Sequence, residues 1–152
     1  MDSLQRLGRS VKAAQYRHHL AADRALATVG TTLPQWDALR AIGGHPGWSA
    51  HALAGETFMS DQAFGTLANR LIAQGLVVRS PGRGRRVEHA LTDAGRAMLD
   101  AGNRVANGIL EQSFRDLDQS ERDTLLVLLE RVGTGLGQSP APATVTLGGE
   151  AP

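Results

Sequence analysis

The chain contains no cysteine. Disulfides, thiol-based redox sensing and cysteine metal sites are therefore excluded, while the compartment stays undecided on this ground. No apolar run approaches the ~18 residues that a membrane-spanning helix needs. The opening MDSLQRLGRS lacks the apolar centre of a secretory signal, so a cytoplasmic protein is the expectation. Lysine is nearly missing: of 16 basic residues only Lys12 is one. Genome base composition produces such a bias, and no mechanism is drawn from it. The signatures of catalysis are missing too. There is no nucleophile elbow, no His-Glu-x-x-His and no phosphate loop, and Gly82-Arg83-Gly84 lacks the strand-to-helix setting of a nucleotide fingerprint. Neither an enzyme nor a resident cofactor is expected. His45 and His51 are six residues apart with no acid or cysteine at ligand spacing, so a loop histidine and a helix-face histidine are expected rather than a metal site.

What is present is 152 residues, enough for one domain or one domain with an appendage, and 41% apolar content, enough for a core. The net charge of +1 says nothing about nucleic acid, but its distribution does. Residues 1–29 hold five basic and two acidic side chains, residues 60–96 hold six and three, and residues 97–152 hold four and eight. Charge of opposite sign is thus segregated along the chain.

The stretch 49–92 is the most informative. Ser49 and Ser60 are both helix-start residues, whose hydroxyls can accept from free backbone N–H groups. Ser49 opens a short helix over 50–56. Ser60 opens a second over about 61–74, whose apolar side is Ala63, Phe64, Leu67, Ala68, Leu71 and Ile72. Gly75 ends it. Leu76-Val77-Val78-Arg79 reads as a strand, Ser80-Pro81-Gly82-Arg83-Gly84-Arg85-Arg86 as a turn-forming loop, and Val87-Glu88-His89-Ala90-Leu91 as the returning strand. Helix, turn, helix and basic hairpin are the layout of a winged helix-turn-helix. The fold expected is mainly α with a small antiparallel β wing.

Around it, residues 3–28 read as one long helix with Leu4, Leu7, Val11, Ala14, His18, Ala21 and Ala25 in a heptad-like stripe. Such a stripe packs on another helix, often from a second subunit. Thr32 caps a helix with Pro34 in its first turn and Trp36, Leu39 and Ile42 on its buried side. Trp48 is read as a short third strand beside the hairpin. Thr92 caps a helix reaching about Asp116, in which Gly102 and Gly108 imply close helix contact or a bend. Asp118 and Glu121 have capping-box spacing and open a last helix rich in leucine, ended by Gly133. The expected division is a helical dimerisation region over 1–30 and 93–136, a DNA-binding domain over 31–92, and a disordered tail over 137–152 containing Pro140, Pro142 and Pro152. The terminal helices carry more apolar surface than one small winged domain covers, so a homodimer is expected.

The exposed side of the second helix of the pair presents Ser60, Asp61, Gln62, Gly65 and Thr66, short groups suited to base edges. Arg70, Arg79, Arg83, Arg85 and Arg86 are assigned to phosphates or a minor groove. Any exposed helix face is polar, and a hairpin can carry a solvated charge cluster; their adjacency favours DNA. A winged module that binds an acidic protein partner without reading DNA is the alternative.

Residues 30–130 resemble the MarR family of transcriptional regulators. The resemblance lies in Thr32-Leu33-Pro34-Gln35-Trp36-Asp37-Ala38-Leu39, Ser49 with Leu53-Ala54, Met59-Ser60-Asp61-Gln62-Ala63, Leu71, Gly75-Leu76-Val77-Val78-Arg79 and Leu91-Thr92-Asp93-Ala94-Gly95. No one of these is specific; their order and spacing are. The resemblance implies six helices with a wing, dimerisation through the terminal helices, and binding to palindromic promoter DNA, usually as a repressor. It further implies release by a small, often aromatic ligand held in a cleft between the dimerisation and DNA-binding parts. Tyr16, His18, His19, Trp36 and Arg40 lie on helices flanking that cleft, though Trp36 also suits the core and His18 a helix interface. One departure stands out. The Asp-x-Arg of the family wing falls on Arg83-Gly84-Arg85, so an arginine replaces the acid and that aspartate cannot orient the wing arginine.

Overall fold

The computed structural model describes residues 2–84 and 86–136. Six helices and two strands follow in the order α1 (Ser3–Ala27), α2 (Leu33–Gly44), α3 (Ala50–Glu56), α4 (Asp61–Ala73), β1 (Val77–Pro81), β2 (Val87–Leu91), α5 (Asp93–Ser113) and α6 (Gln119–Arg131). Residues 137–152, where a tail is expected, lie outside the described residues.

Local chemistry sets the helix starts. Ser49 Oγ accepts from Ala52 N and Ser60 Oγ from Ala63 N, each at 3.1 Å. Thr32 does the same for Gln35 N and Thr92 for Gly95 N. Asp118 and Glu121 form the reciprocal capping box, each accepting at 2.9 Å from the other's backbone N–H. Each contact satisfies an N–H that has no partner within its own helix. Gly75, at φ +73°, sits just beyond α4 in the left-handed region that favours glycine.

The core lies between α2, α3, α4, β1 and α5. Leu39, Leu53, Phe64, Leu71 and Val77 are all within 1% of full burial. Trp48, Met59, Leu67, Ile72 and Leu91 pack around them. α1 runs against α5 and buries only Ala22 and Leu26. His18 Nδ1 lies 3.2 Å from Ser113 Oγ, whose hydroxyl already donates to Ile109 O. The imidazole is therefore the donor, and His18 does sit at a helix interface. Arg122 donates twice to Phe114 O and ties the start of α6 to the end of α5.

Several expectations are corrected. Trp48 forms no strand: the described sheet has two strands, paired in register from Val77↔Leu91 to Pro81↔Val87. The indole of Trp48 instead stacks on His45, with centroids 3.8 Å apart and planes at 16°. Ala63, placed on the buried side of its helix, is exposed. Gly102 does mark a close approach, since a Cβ there would lie 2.4 Å from Trp36 Cδ1, but Gly108 has nothing within 4 Å. The α5 helix stops at Ser113, with Phe114 as its cap, short of Asp116. In line with expectation, the terminal helices leave apolar surface uncovered: Leu4, Leu7 and Val11 are exposed, and α6 buries no residue.

Candidate nucleic-acid interface

The outward side of α4 meets solvent where the capping serine and the helix geometry place it. Gln62, Thr66 and Arg70 recur every four residues and so stack along one side. With Ser60, Met59, Ala63, Leu67 and Pro34 they line an open groove. Gln62, Thr66 and Arg70 are exposed, and their side chains make no hydrogen bond within the described residues. Gly65 is only half-exposed, and a Cβ there would meet nothing within 4 Å.

Asp61 is differently placed. His51 Nδ1 lies 2.8 Å from its Oδ1 and 3.1 Å from its Oδ2. A carboxylate only accepts, so the imidazole donates. His45 likewise has a carboxylate near it, Glu56 Oε1 at 3.7 Å. Sequence spacing had shown an acid beside neither histidine. Among the described residues no group of three metal-ligating side chains gathers.

The wing is narrow at its base. Gly82 N donates to Arg86 O at 2.8 Å, and a Cβ on Gly82 would press on the Glu88 side chain. Gly84, at φ +66°, allows the reversal at the tip. Arg83 is exposed on the loop, and Arg86 is half-buried. Arg85 lies outside the described residues. Arg79 points back towards the helix, and its Nη2 donates to Asn69 Oδ1 at 2.7 Å.

Beneath that contact, His89 of β2 is 7% exposed and neither ring nitrogen has a hydrogen-bond partner among the described residues. Its ring meets the edge of Phe64 at 6.0 Å and 80°. Burial, and secondarily the Arg79 charge, hold its pKa below the ordinary value of 6.5. The unfolded chain thus binds the His89 proton more readily than the folded one, so stability rises with pH in that window. The contribution of neutral His89 is complete above about pH 6.5 and is lost as pH falls from there towards the lowered value. Urea unfolding checks this: the stability of the wild type relative to His89→Leu should fall progressively below about pH 6.5, and a constant difference between pH 5 and 8 would contradict it.

The residues assigned to a small ligand are spread over α1 and α2. Tyr16 and His19 are exposed, and their side chains form no hydrogen bond within the described residues. Trp36 is half-buried, and its Nε1 donates to Asn103 Oδ1 at 3.0 Å. Arg40 is held by Asp37 at 2.8 Å and faces Glu56 at 3.8 Å. Sequence reasoning places Asn69 on the exposed side of its helix without giving it a role, and it missed His89 and Phe58. Phe58 occupies the turn between α3 and α4 at φ +55° and is 77% exposed.

The MarR family model matches residues 29–86. The HTH-type transcriptional repressor Rv2887 of Mycobacterium tuberculosis is 30% identical over 112 residues, spanning 72% of this chain and 81% of that protein. The crystal structure of Rv2887 in complex with DNA superposes with TM-score 0.68 at 25% identity, over 84% of this chain and 98% of that one. Its complex with p-aminosalicylic acid matches with TM-score 0.68 at 26% identity over the same shares. A probable transcriptional regulator from Pseudomonas aeruginosa is 32% identical with TM-score 0.72, over 82% of this chain and 94% of that one.

Proposed function

This chain belongs to the MarR family, whose members are transcriptional regulators and not enzymes, and we propose that it is a repressor that binds palindromic promoter DNA as a homodimer and is released by a small aromatic acid. The observation that carries this reading is the unengaged polar row Gln62, Thr66 and Arg70 on α4, beside a wing whose Arg83 stands free in solvent.

Ser60, Asp61, Gln62, Gly65 and Thr66 face base edges in the major groove. Gly65 contributes by letting the DNA approach closely. Arg70, Arg83, Arg85 and Arg86 meet phosphates or enter the adjacent minor groove. The exposed Leu4, Leu7 and Val11 of α1, with Leu126 and Leu129 of α6 and Val132 just beyond it, are covered by the second subunit. That pairing presents two copies of α4 to successive major grooves, about one helical turn apart. Residues 1–30 and 93–136 thus serve dimerisation, and 31–92 serve DNA. The released state holds its ligand near Tyr16, His19, Trp36 and Arg40; the complex of Rv2887 with p-aminosalicylic acid supports the class of ligand. Loss of aromatic-acid release in Tyr16→Ala checks that placement; unaltered release would remove Tyr16 from it. No helix among the described residues is long and apolar enough to cross a membrane, and the cytoplasm is the compartment proposed. An acidic protein partner in place of DNA has no comparable support.

Binding to the DNA upstream of its own gene tests the reading. With about four phosphate contacts per subunit, the slope of log K against log salt should be near −7. Arg83→Ala should weaken binding roughly tenfold with unchanged folding stability, and Gln62→Ala should alter sequence preference more than overall affinity. Equal affinity for a scrambled duplex would overturn the proposal. An unaffected Arg83→Ala variant would remove the wing from it.

A further inference from the structure

The wing reaches DNA usefully only if its angle to α4 is set, because its tip and the helix must enter neighbouring grooves together. The loop between the strands, residues 82–86, contains no carboxylate, so no acid within it holds its arginines. Its base is tied instead. Arg79 lies in the middle of β1, opposite His89 of β2. Its Nη2 spans ten residues of sequence to Asn69 Oδ1, at 2.7 Å. Asn69 follows Thr66 by three residues and precedes Arg70 by one, so the bond lands among the residues that face DNA. Below it, buried Phe64 of α4 meets buried His89 of β2 edge-on. The two contacts fasten the same strand pair to the same helix, one at the surface and one in the core.

We propose that Asn69 and Arg79 form a clamp that sets the angle between wing and recognition helix, making both positioning residues for DNA recognition. The clamp takes Arg79 out of the set of phosphate ligands. An asparagine oxygen carries no charge, so the pair forms without neutralising the guanidinium and without a buried ion. The planar guanidinium fork, held by one short bond at an exposed site, fixes direction more than it adds stability. Wing and helix then approach DNA as one body, and the ordering cost of a loose wing is not incurred on binding.

This inference rests on the DNA-binding reading, and its test separates the two. Asn69→Ala, Arg79→Ala and the double variant are compared in two measurements. Without DNA, amide hydrogen exchange in residues 78–80 and 88–90 should quicken to the same extent in all three, with global unfolding unchanged. On operator DNA each single variant should lose affinity by the same factor, about tenfold, and the double variant by no more than either. The salt slope should stay that of the wild type. Arg79→Ala flattening the slope by about two units per dimer, with Asn69→Ala neutral, would make Arg79 a phosphate ligand and overturn the clamp. Additive losses, or exchange unchanged in every variant, would overturn it equally. A wild-type protein without specific binding defeats the DNA reading, while the exchange comparison still decides whether the clamp exists.

Discussion

Gly95→Ala is expected to destabilise the fold by about 3 kcal/mol or more, the upper end of what overpacking costs. An ideal Cβ at Gly95 would lie 1.9 Å from Leu76 O and 2.9 Å from Leu76 C. Both are backbone atoms, so no side chain can turn away. Leu76 O also accepts from Thr92 N at 3.1 Å. Thr92 Oγ1 donates to Gly75 O at 2.6 Å while accepting from Gly95 N at 3.0 Å. One threonine therefore caps α5, closes the end of α4 and sits beside the start of β1. Moving α5 outward to admit a methyl group would break these bonds together. Against a typical total of 5–15 kcal/mol, such a loss is severe. It should lower the melting temperature by roughly 6–12 °C, at about 2–4 °C per kcal/mol for a chain of this size. Gly8→Ala is the control: nothing lies within 4 Å of its Cβ position, and alanine in a helix interior is favoured by up to ~1 kcal/mol. Equal melting temperatures for Gly95→Ala and wild type would mean that the α4–α5 joint is looser than described.

Leu126→Glu combined with Leu129→Glu is expected to convert the dimer to a monomer and to weaken operator binding at least 100-fold. In the single chain these side chains are 58% and 45% exposed, and α6 buries none of its residues. The double change therefore removes nothing from the core, and the monomer should keep its wild-type helix content. Within a dimer, each leucine transferred from water contributes about 1.5–3 kcal/mol, and an unpaired buried carboxylate reverses that gain. Light scattering should give about 16.1 kDa for the variant, the mass of one chain, and about twice that for wild type. A lone subunit retains one recognition helix and one wing but loses the second half-site. A variant that remains dimeric, or a monomer with wild-type operator affinity, would show that these leucines do not hold the recognition helices together.

Much of this fold was readable because its punctuation is local. Ser49, Ser60, Thr32, Thr92 and Asp118 each accept from the N–H three residues on, so cap residue and helix start are visible together in the sequence. The 3.6-residue period of Phe64, Leu67, Ala68 and Leu71 identified the buried side of α4, whereas Ala63 stands at the margin of that period and faces the open groove with Gln62 and Thr66. What stayed hidden depends on distant residues. Trp48 has strand propensity of its own, but its indole stacks on His45 and it adds no third strand to the described sheet. Gly102 and Gly108 look alike in sequence, yet only the first faces Trp36. Among the site residues, Gln62, Thr66, Arg70 and Arg83 are exposed as expected, while Arg79 looked like any other wing arginine. Only the path of β1 beside α4 brings it to Asn69.

Everything proposed for function depends on two recognition helices being held at a fixed separation. The most direct measurement compares the natural operator with a copy carrying five extra base pairs between its half-sites. Half a helical turn puts the second half-site on the opposite face of the duplex, so specific affinity should fall to that of a scrambled sequence. Unchanged affinity for the lengthened operator would mean that the two helices are not rigidly spaced, and would contradict the dimeric reading at its base.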